Sequence, residues 1–253
     1  MDESRYLSLL AQTKQSLAEI ADSASPAVFA SSLAAEDMVL TDLILSTGLP
    51  IDIFTLDTGR LHTQTLAVLD RIRERYGYEV RVYRPEPSDV EAYVSRHGRD
   101  AFYESIDLRK ECCRIRKVEP LKRALAGKTA WITGQRRAQS NTRADLALRE
   151  RDAAHGMLKF NPLADWSEEE VWHYLRSHDV PYNALHDQGF PSIGCEPCTR
   201  AIQPGEDVRA GRWWWESPDQ KECGLHFVDG KLIRIKNLTQ AETPAAFTEG
   251  QQS

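Results

Sequence analysis

Five cysteines occur in this 253-residue chain, and their spacing is specific. Cys112 and Cys113 sit side by side in Lys110-Glu111-Cys112-Cys113-Arg114-Ile115-Arg116-Lys117, and Cys195-Glu196-Pro197-Cys198 forms a C-x-x-C turn. On a helix, adjacent side chains diverge by about 100°. Two neighbouring thiolates therefore serve one tetrahedral ion poorly but can reach two irons of a cubane. A [4Fe–4S] cluster takes four thiolates, one at each iron. A structural zinc on Cys112, Cys113, Cys195 and Cys198 is the alternative. Nothing marks the chain as secreted, which argues against disulfides. The fifth cysteine, Cys223, lies between Lys221 and His226, and cationic neighbours are the setting that makes a thiol nucleophilic.

A second set of residues suits an anion. Gly134-Gln135-Arg136-Arg137-Ala138-Gln139-Ser140-Asn141-Thr142-Arg143 gathers three arginines beside Gln, Ser and Thr. Arginine grips sulfate or phosphate with two parallel bonds; a solvated basic loop is the plainer alternative. Lys117 follows Cys113 by four residues, so on a regular helix it shares that cysteine's face. Arg149 and Arg151, flanked by Glu150 and Asp152, read as solvated charges.

The elements that must position these residues alternate. Residues 5–22 read as a peripheral helix ended by Pro26. Ala27 to Ser32 is a short buried strand, and Ser31-Ser32-Leu33-Ala34-Ala35-Glu36-Asp37 leads into a helix over 38–45. Strand, small-residue loop and helix are the plan of a phosphate cradle, or of an ordinary strand-to-helix turn. Residues 51–56 form a second strand ending in Leu56-Asp57-Thr58-Gly59, before a helix from Leu61 to about Tyr76. Residues 79–83 are a third strand, closed by Pro85 and Pro87, and 129–134 a fourth. This alternation predicts a mostly parallel α/β sheet with right-handed crossovers. Ligands bind such sheets at the carboxyl ends of strands, where Ser31–Asp37, Asp57–Gly59 and the Gly134 loop all fall. Residues 155–166 read as irregular, and Ser167-Glu168-Glu169-Glu170 as a capping box opening a helix to about Ser177. His173 and His178 read as packing residues. Trp213-Trp214-Trp215 is either packing for the C-terminal segment or a surface for a protein partner. A strand over 231–235 and a polar tail close the chain.

Composition bounds the rest. Hydrophobic residues make up 41% and charged residues 28%, as in globular domains. No apolar run suits a membrane span and no signal core follows Met1, so the expected compartment is the reducing cytoplasm. The net charge of −6 with locally crowded Lys and Arg indicates a local anion site and no nucleic-acid partner. The expected division is a nucleotide-binding domain over 1–206 carrying the cysteine site and a C-terminal segment over 207–253. Nothing in the chain excludes a homo-oligomer.

From about Ser31 to Phe227 the chain resembles the assimilatory adenylylsulfate reductases, the iron–sulfur branch of the phosphoadenylylsulfate reductase family. The resemblance rests on Cys112-Cys113, Cys195-x-x-Cys198 and Lys221-Glu222-Cys223-Gly224-Leu225-His226, in that order, with Ser31-Ser32, Glu36-Asp37, Leu56-Asp57-Thr58-Gly59 and the arginine loop. The first loop departs from it, reading Leu33-Ala34-Ala35 where relatives often have a glycine. The resemblance implies an adenine-nucleotide α-hydrolase-like (PP-loop-like) fold, a sheet of about five strands with its ligand at their carboxyl ends. It implies that adenosine 5'-phosphosulfate and reduced thioredoxin, or glutaredoxin, give sulfite, AMP and the oxidised reductant. Cys223, in a tail with His226, is then the nucleophile, and the other four cysteines hold a [4Fe–4S] cluster outside the path of the electrons. The family positions match Lys117, Arg209 and Arg212, with Arg143, Arg136 and Arg137 as further anion donors. The expected chemistry is attack by Cys223 on the sulfate sulfur, loss of AMP and thiol attack on the resulting S-sulfocysteine. A nucleophile that meets substrate first and reductant second calls for a mobile C-terminal tail, and Gly224 supplies backbone latitude. Two rival readings remain: an ATP-pyrophosphatase-type ligase or sulfurtransferase on the same fold, and a non-catalytic iron–sulfur or zinc sensor. The ligases carry an S-G-G-x-D-S loop for pyrophosphate, and Ser32 to Asp37 lacks its glycines while Glu36 adds negative charge.

Overall fold

The computed structural model describes residues 1–140 and 143–217, and beyond them only the backbone of two short strands. Cys223, His226 and the expected mobility of their tail lie outside the described residues, as do Asn141 and Thr142.

Six strands form the main sheet: β1 (Ala27–Ala30), β2 (Asp52–Leu56), β3 (Arg81–Tyr83), β4 (Ala130–Ile132), β5 (Arg149–Asp152) and β6 (Met157–Phe160). Their order is β3-β2-β1-β4-β6-β5. All neighbours pair in parallel except β5, which closes one edge antiparallel to β6. β7 (Phe227–Val228) and β8 (Lys231–Leu232) form a separate antiparallel pair.

The pleat sorts side chains to two faces. Phe29, Ile53 and Ile132 enter a large core packed by α1 (Glu3–Ser23), α2 (Ala35–Ser46), α3 (Thr63–Tyr76) and α7 (Glu168–Ser177). Val28, Phe54 and Trp131 point the other way, against Leu121, Ala124 and Leu125 of α6 (Glu119–Leu125). Apolar residues in succession on β1, β2 and β4 thus reflect burial on both faces, as in parallel sheets with helices on each side. Buried Asp42 of α2 accepts hydrogen bonds from Tyr76 (2.7 Å) and Tyr174 (2.6 Å), tying α2, α3 and α7 together. His173 and His178 pack on Tyr6 and Tyr174, as read from the sequence.

Three expectations need correction. Residues 149–160 are the β5–β6 hairpin, not the irregular chain read from residue 155; Arg149 and Arg151 are exposed on it, as expected. β5 has an alternating exposed and half-buried pattern but no apolar residue, so its period-2 signal is invisible to hydropathy. Its turn is set by Asp152, whose Oδ1 accepts from the N–H groups of Ala154 (3.0 Å) and His155 (3.2 Å). Pro87 does not merely end a strand; it opens α4 (Pro87–His97) from the first turn, where a missing N–H costs nothing. The cysteine pair ends α5 (Ile106–Cys113), but Arg114–Val118 then winds as a π-helix before α6. The four-residue spacing from Cys113 to Lys117 therefore does not carry the regular-helix meaning.

Candidate active site

The strand order reverses between β1 and β4, and the crevice at their carboxyl ends is where such sheets bind ligands. A cavity of about 280 Å³ opens there. Its floor comes from the loop after β1. Ser31 Oγ accepts from Leu33 N–H (3.2 Å), and Leu33 takes a left-handed φ of 65°. Ser32 donates to Asp37 Oδ2 from both its backbone N–H (2.6 Å) and its hydroxyl (2.5 Å). Gly134 N–H also donates to Asp37. A side chain at position 134 would put its Cβ 2.1 Å from Asp37 Oδ1, so only glycine lets the β4 loop approach so closely. Burial pushes the Asp37 carboxyl up to about 6 against the opposing pull of the Ser32 bonds, and the nearby Glu36 charge adds to the rise.

Glu36 is buried too, but Arg136 donates to its Oε1 from Nε (3.1 Å) and Nη2 (2.7 Å), and Gln139 donates at 2.9 Å. Burial alone would raise its pKa; the Arg136 charge and hydrogen bonds outweigh it and hold the carboxyl below its usual range. The negative charge that weighed against a phosphate-rich ligand is thus neutralised locally. Arg136 lines the cavity with its guanidinium committed to Glu36 and Trp166 O. Arg137 does not line it: its guanidinium bonds Leu146 O (2.7 Å) and Asp165. Paired carboxylates elsewhere in the sequence thus engage both arginines expected to grip an anion.

Lys117, Arg143, Arg209 and Arg212 all line the cavity, as do Ser31, Ser32, Leu56 and Thr58. Arg212 is buried, donates to Ile193 O (3.2 Å), and its Nε has no partner among the described residues. Gly194 makes room for it: a Cβ there would lie 2.4 Å from Arg212 Nη2. Asp57 and Gly59 sit just behind the cavity. Asp57 accepts from Gly59 N–H (2.9 Å) and Arg84 Nε (3.0 Å), shaping the turn that presents Thr58.

A second, smaller cavity of about 20 Å³ is lined by Cys112, Cys113, Cys195 and Cys198, with Arg60, Arg109, Arg116 and Lys117. None of these four cysteines is in a disulfide. Burial raises the Cys112 thiol and pushes Cys198 up to about 12; Arg116 opposes this at Cys112, and Lys117 and Arg212 at Cys198. Thr58 ties the two cavities together. Its hydroxyl stands 3.2 Å from Cys195 Sγ, and its carbonyl accepts from Arg116 Nη1 at 2.7 Å. Lys117 lines both cavities. Among the described residues, no three His, Cys, Asp or Glu side chains form a site for a single metal ion.

Sequence reasoning passed over His186. It is held on the cavity wall, where its Nε2 accepts from Ala35 N–H at the start of α2 (3.1 Å). Burial pulls its pKa below the ordinary histidine range, in keeping with a neutral acceptor. No motif marks position 186 in the sequence, and only its fit to a helix N-terminus 151 residues away distinguishes it. Trp172 and Glu168 of α7 reach the same wall. In the tryptophan run, Trp213 is buried against the cysteines while Trp214 is exposed.

Residues 26–201 match the phosphoadenosine phosphosulfate reductase domain model. The chain belongs to this family. Among relatives of the reductase family, it is 64% identical over 212 residues to a protein of Burkholderia cepacia named adenosine 5'-phosphosulfate reductase, covering 84% of this chain and 85% of that one. It is 59% identical over 224 residues to a protein of the same name from Allochromatium vinosum, covering 88% and 85%. Among solved structures, a phosphoadenylyl-sulfate reductase from Candida auris, in a phosphate complex, superposes with a TM-score of 0.65 at 25% identity, covering 80% of this chain and 98% of that one. An FMN adenylyltransferase from Candida glabrata superposes at 0.56 with 16% identity, covering 87% and 76%, a likeness of fold alone. The PP-loop-like architecture of the family, a mostly parallel sheet flanked by helices, is therefore the fold of this chain. No helix among the described residues is long and apolar enough to cross a membrane.

Proposed function

We propose that the chain reduces adenosine 5'-phosphosulfate to sulfite and AMP, with Cys223 as nucleophile and thioredoxin or glutaredoxin as reductant. The supporting observation is the juxtaposition of two cavities: one lined by Lys117, Arg143, Arg209 and Arg212, the other by four cysteines outside any disulfide, with Lys117 in both walls. The names of the relatives point to the same substrate.

The sulfate and phosphate of the substrate are both anionic and repel a thiolate. Fixed cations offset that repulsion before reaction begins and need no reorganisation during it. Cys223 attacks the sulfate sulfur; the sulfur–oxygen bond to the phosphate breaks, and AMP leaves with its electron pair. We assign Arg209 and Arg212 to the charge that gathers on the phosphate and Lys117 to the charge on the sulfate; all three line the cavity. A reductant thiolate then attacks Cys223 Sγ, sulfite departs with the electrons of the sulfur–sulfur bond, and the second reductant thiol closes a disulfide. His226, three residues past Cys223, is assigned to the same tail.

The four-cysteine cavity fits a [4Fe–4S] cluster. A single zinc demands four donors converging at about 2.3 Å on one point, whereas a cubane takes its thiolates at four separate irons. Cys112, Cys113, Cys195 and Cys198 share one cavity, and the cations in its wall offset part of the burial that raises the thiols, as thiolate ligands require. When bound, the cluster supplies fixed charge beside the substrate cavity and rigidity to the loops that frame it.

The deciding measurement is the intact mass of anaerobically purified protein mixed with adenosine 5'-phosphosulfate and no reductant, followed by peptide mapping. A single sulfo group on Cys223, released as sulfite by thioredoxin, is expected. The 3'-phosphorylated substrate run in parallel reports specificity, and the unphosphorylated form is expected to react faster. An unmodified Cys223 in iron-loaded protein would falsify the reading.

A further inference from the structure

Cys223 follows Glu216 by seven residues, so an extended chain carries it at most about 25 Å from that point. The placement of Glu216 therefore bounds where the nucleophile can lie. Glu216 is held by a buried fork. Arg109 donates from Nε to Oε1 (2.5 Å) and from Nη2 to Oε2 (2.8 Å), and the two side chains are 0% and 4% exposed. Arg109 belongs to α5, the helix that ends in Cys112 and Cys113.

Trp213 links this pair to both cavities. The guanidinium carbons of Arg109 and Arg212 stand 4.6 Å and 4.5 Å from its ring centre. Its backbone N–H donates to Cys198 O (3.1 Å), and Glu216 N–H donates to Trp213 O (2.9 Å). Trp213 also holds a left-handed φ of 41°, which a bulky residue adopts only when its surroundings enforce it. A buried ion pair adds little stability over well-packed apolar residues, but its bidentate geometry fixes direction. An enforced backbone and a buried fork thus coincide a few residues before Cys223.

We propose that Arg109, Trp213 and Glu216 are the positioning root of the arm that carries Cys223. They register the arm to the helix of the cysteine pair and, through Arg212, to the substrate cavity. The proposal rests on the reading of Cys223 as the nucleophile. None of the three residues needs to touch substrate; they act by fixing the origin and heading of the arm.

The test compares wild type with Glu216→Gln, and with an Arg109→Met/Glu216→Leu double variant that keeps packing volume without charge. Iron per chain, AMP affinity and the single-turnover rate of sulfo-adduct formation at Cys223 are measured on each. Both variants are expected to keep iron content and bind AMP within about twofold, while adduct formation slows about 100-fold, the scale of a misplaced reactant. Adduct formation at the wild-type rate in either folded variant overturns the proposal. So does a parallel loss of iron, AMP binding and rate, which would make the pair merely structural. An absent adduct in wild type overturns the reading of the reaction itself, a result distinct from both.

Discussion

Asp37 shows how a single carboxyl can organise a substrate loop at an energetic cost. It gathers two donors from Ser32 and one from Gly134, yet burial raises its pKa from 3.8 to about 6. A raised carboxyl contributes stability that is fully present below the unfolded value and is lost as pH rises through the folded one. Asp37→Asn keeps an acceptor for Ser32 and removes that loss. Its stability relative to wild type should therefore grow between about pH 4 and 6, by up to about 3 kcal/mol, and level off above. Urea denaturation at several pH values checks this; a constant difference across the range would contradict it. Gly134→Ala forces a methyl group toward the same carboxylate and should destabilise the fold by about 1–3 kcal/mol while weakening AMP binding. Lys117→Ala should slow sulfo-transfer at Cys223 by about 100-fold or more with iron per chain unchanged. Loss of iron in that variant would rule out a lysine that serves substrate from the cysteine wall. Residue types disclosed the cations in advance but not their partners: Arg136 and Arg137 carry the charge the sequence promised, yet find Glu36 and Asp165 at separations of 100 and 28 residues.

The π-helical turn has a local cause at the next scale up. Helix runs without a break from Ile106 to Leu125, and Pro120 falls inside it. Proline has no N–H for the carbonyl four residues back, and its ring crowds that carbonyl, here Arg116 O. Widening the preceding turn relieves the clash, and Glu119 N–H bonds Arg114 O, five residues back. The widened turn carries Arg116 to Thr58 O and Lys117 into both cavities. Pro120→Ala should let the turn tighten toward regular α-helix and swing Lys117 by part of a turn. The expected result is unchanged or higher thermal stability with sulfo-transfer reduced at least about tenfold; wild-type turnover would dissociate the π turn from function. Regular elements with an apolar period were legible in the sequence: α1, α7 and the three central strands lie within a few residues of their expected places. β5, α4 and the π turn were not, because charge alternation, a proline opening a helix and a proline widening one leave no hydropathic signature.

Across the described residues, two seams meet at the cavity proposed for the substrate. One is the crevice between β1 and β4; the other is the wall shared with the cysteine cavity. The three strand-end loops singled out by sequence do converge there, because alternating strands and helices in a parallel sheet leave their carboxyl ends on one edge. What topology did not reveal was the contribution of residues 186–213, which close the cavity from outside the sheet through His186, Gly194 and Arg212. With so many fixed cations around the substrate cavity, AMP affinity should fall as ionic strength rises. A salt-independent affinity would argue against the cations as phosphate ligands.

The β1–β4 seam also sets when a growing polypeptide can first hold its ligand. β2 follows β1 closely and can pair with it early, but β4 begins at Ala130 and the far wall comes after Pro191. Until then the second edge of β1 stands open, with unpaired backbone and apolar side chains, Phe29 and Val28, on its two faces. Long-range parallel pairing of this kind is slow and leaves such edges exposed while it waits. The pocket at this seam is accordingly complete only once residues 191–213 have been made and have folded against the sheet, and ligand capture reports that they have.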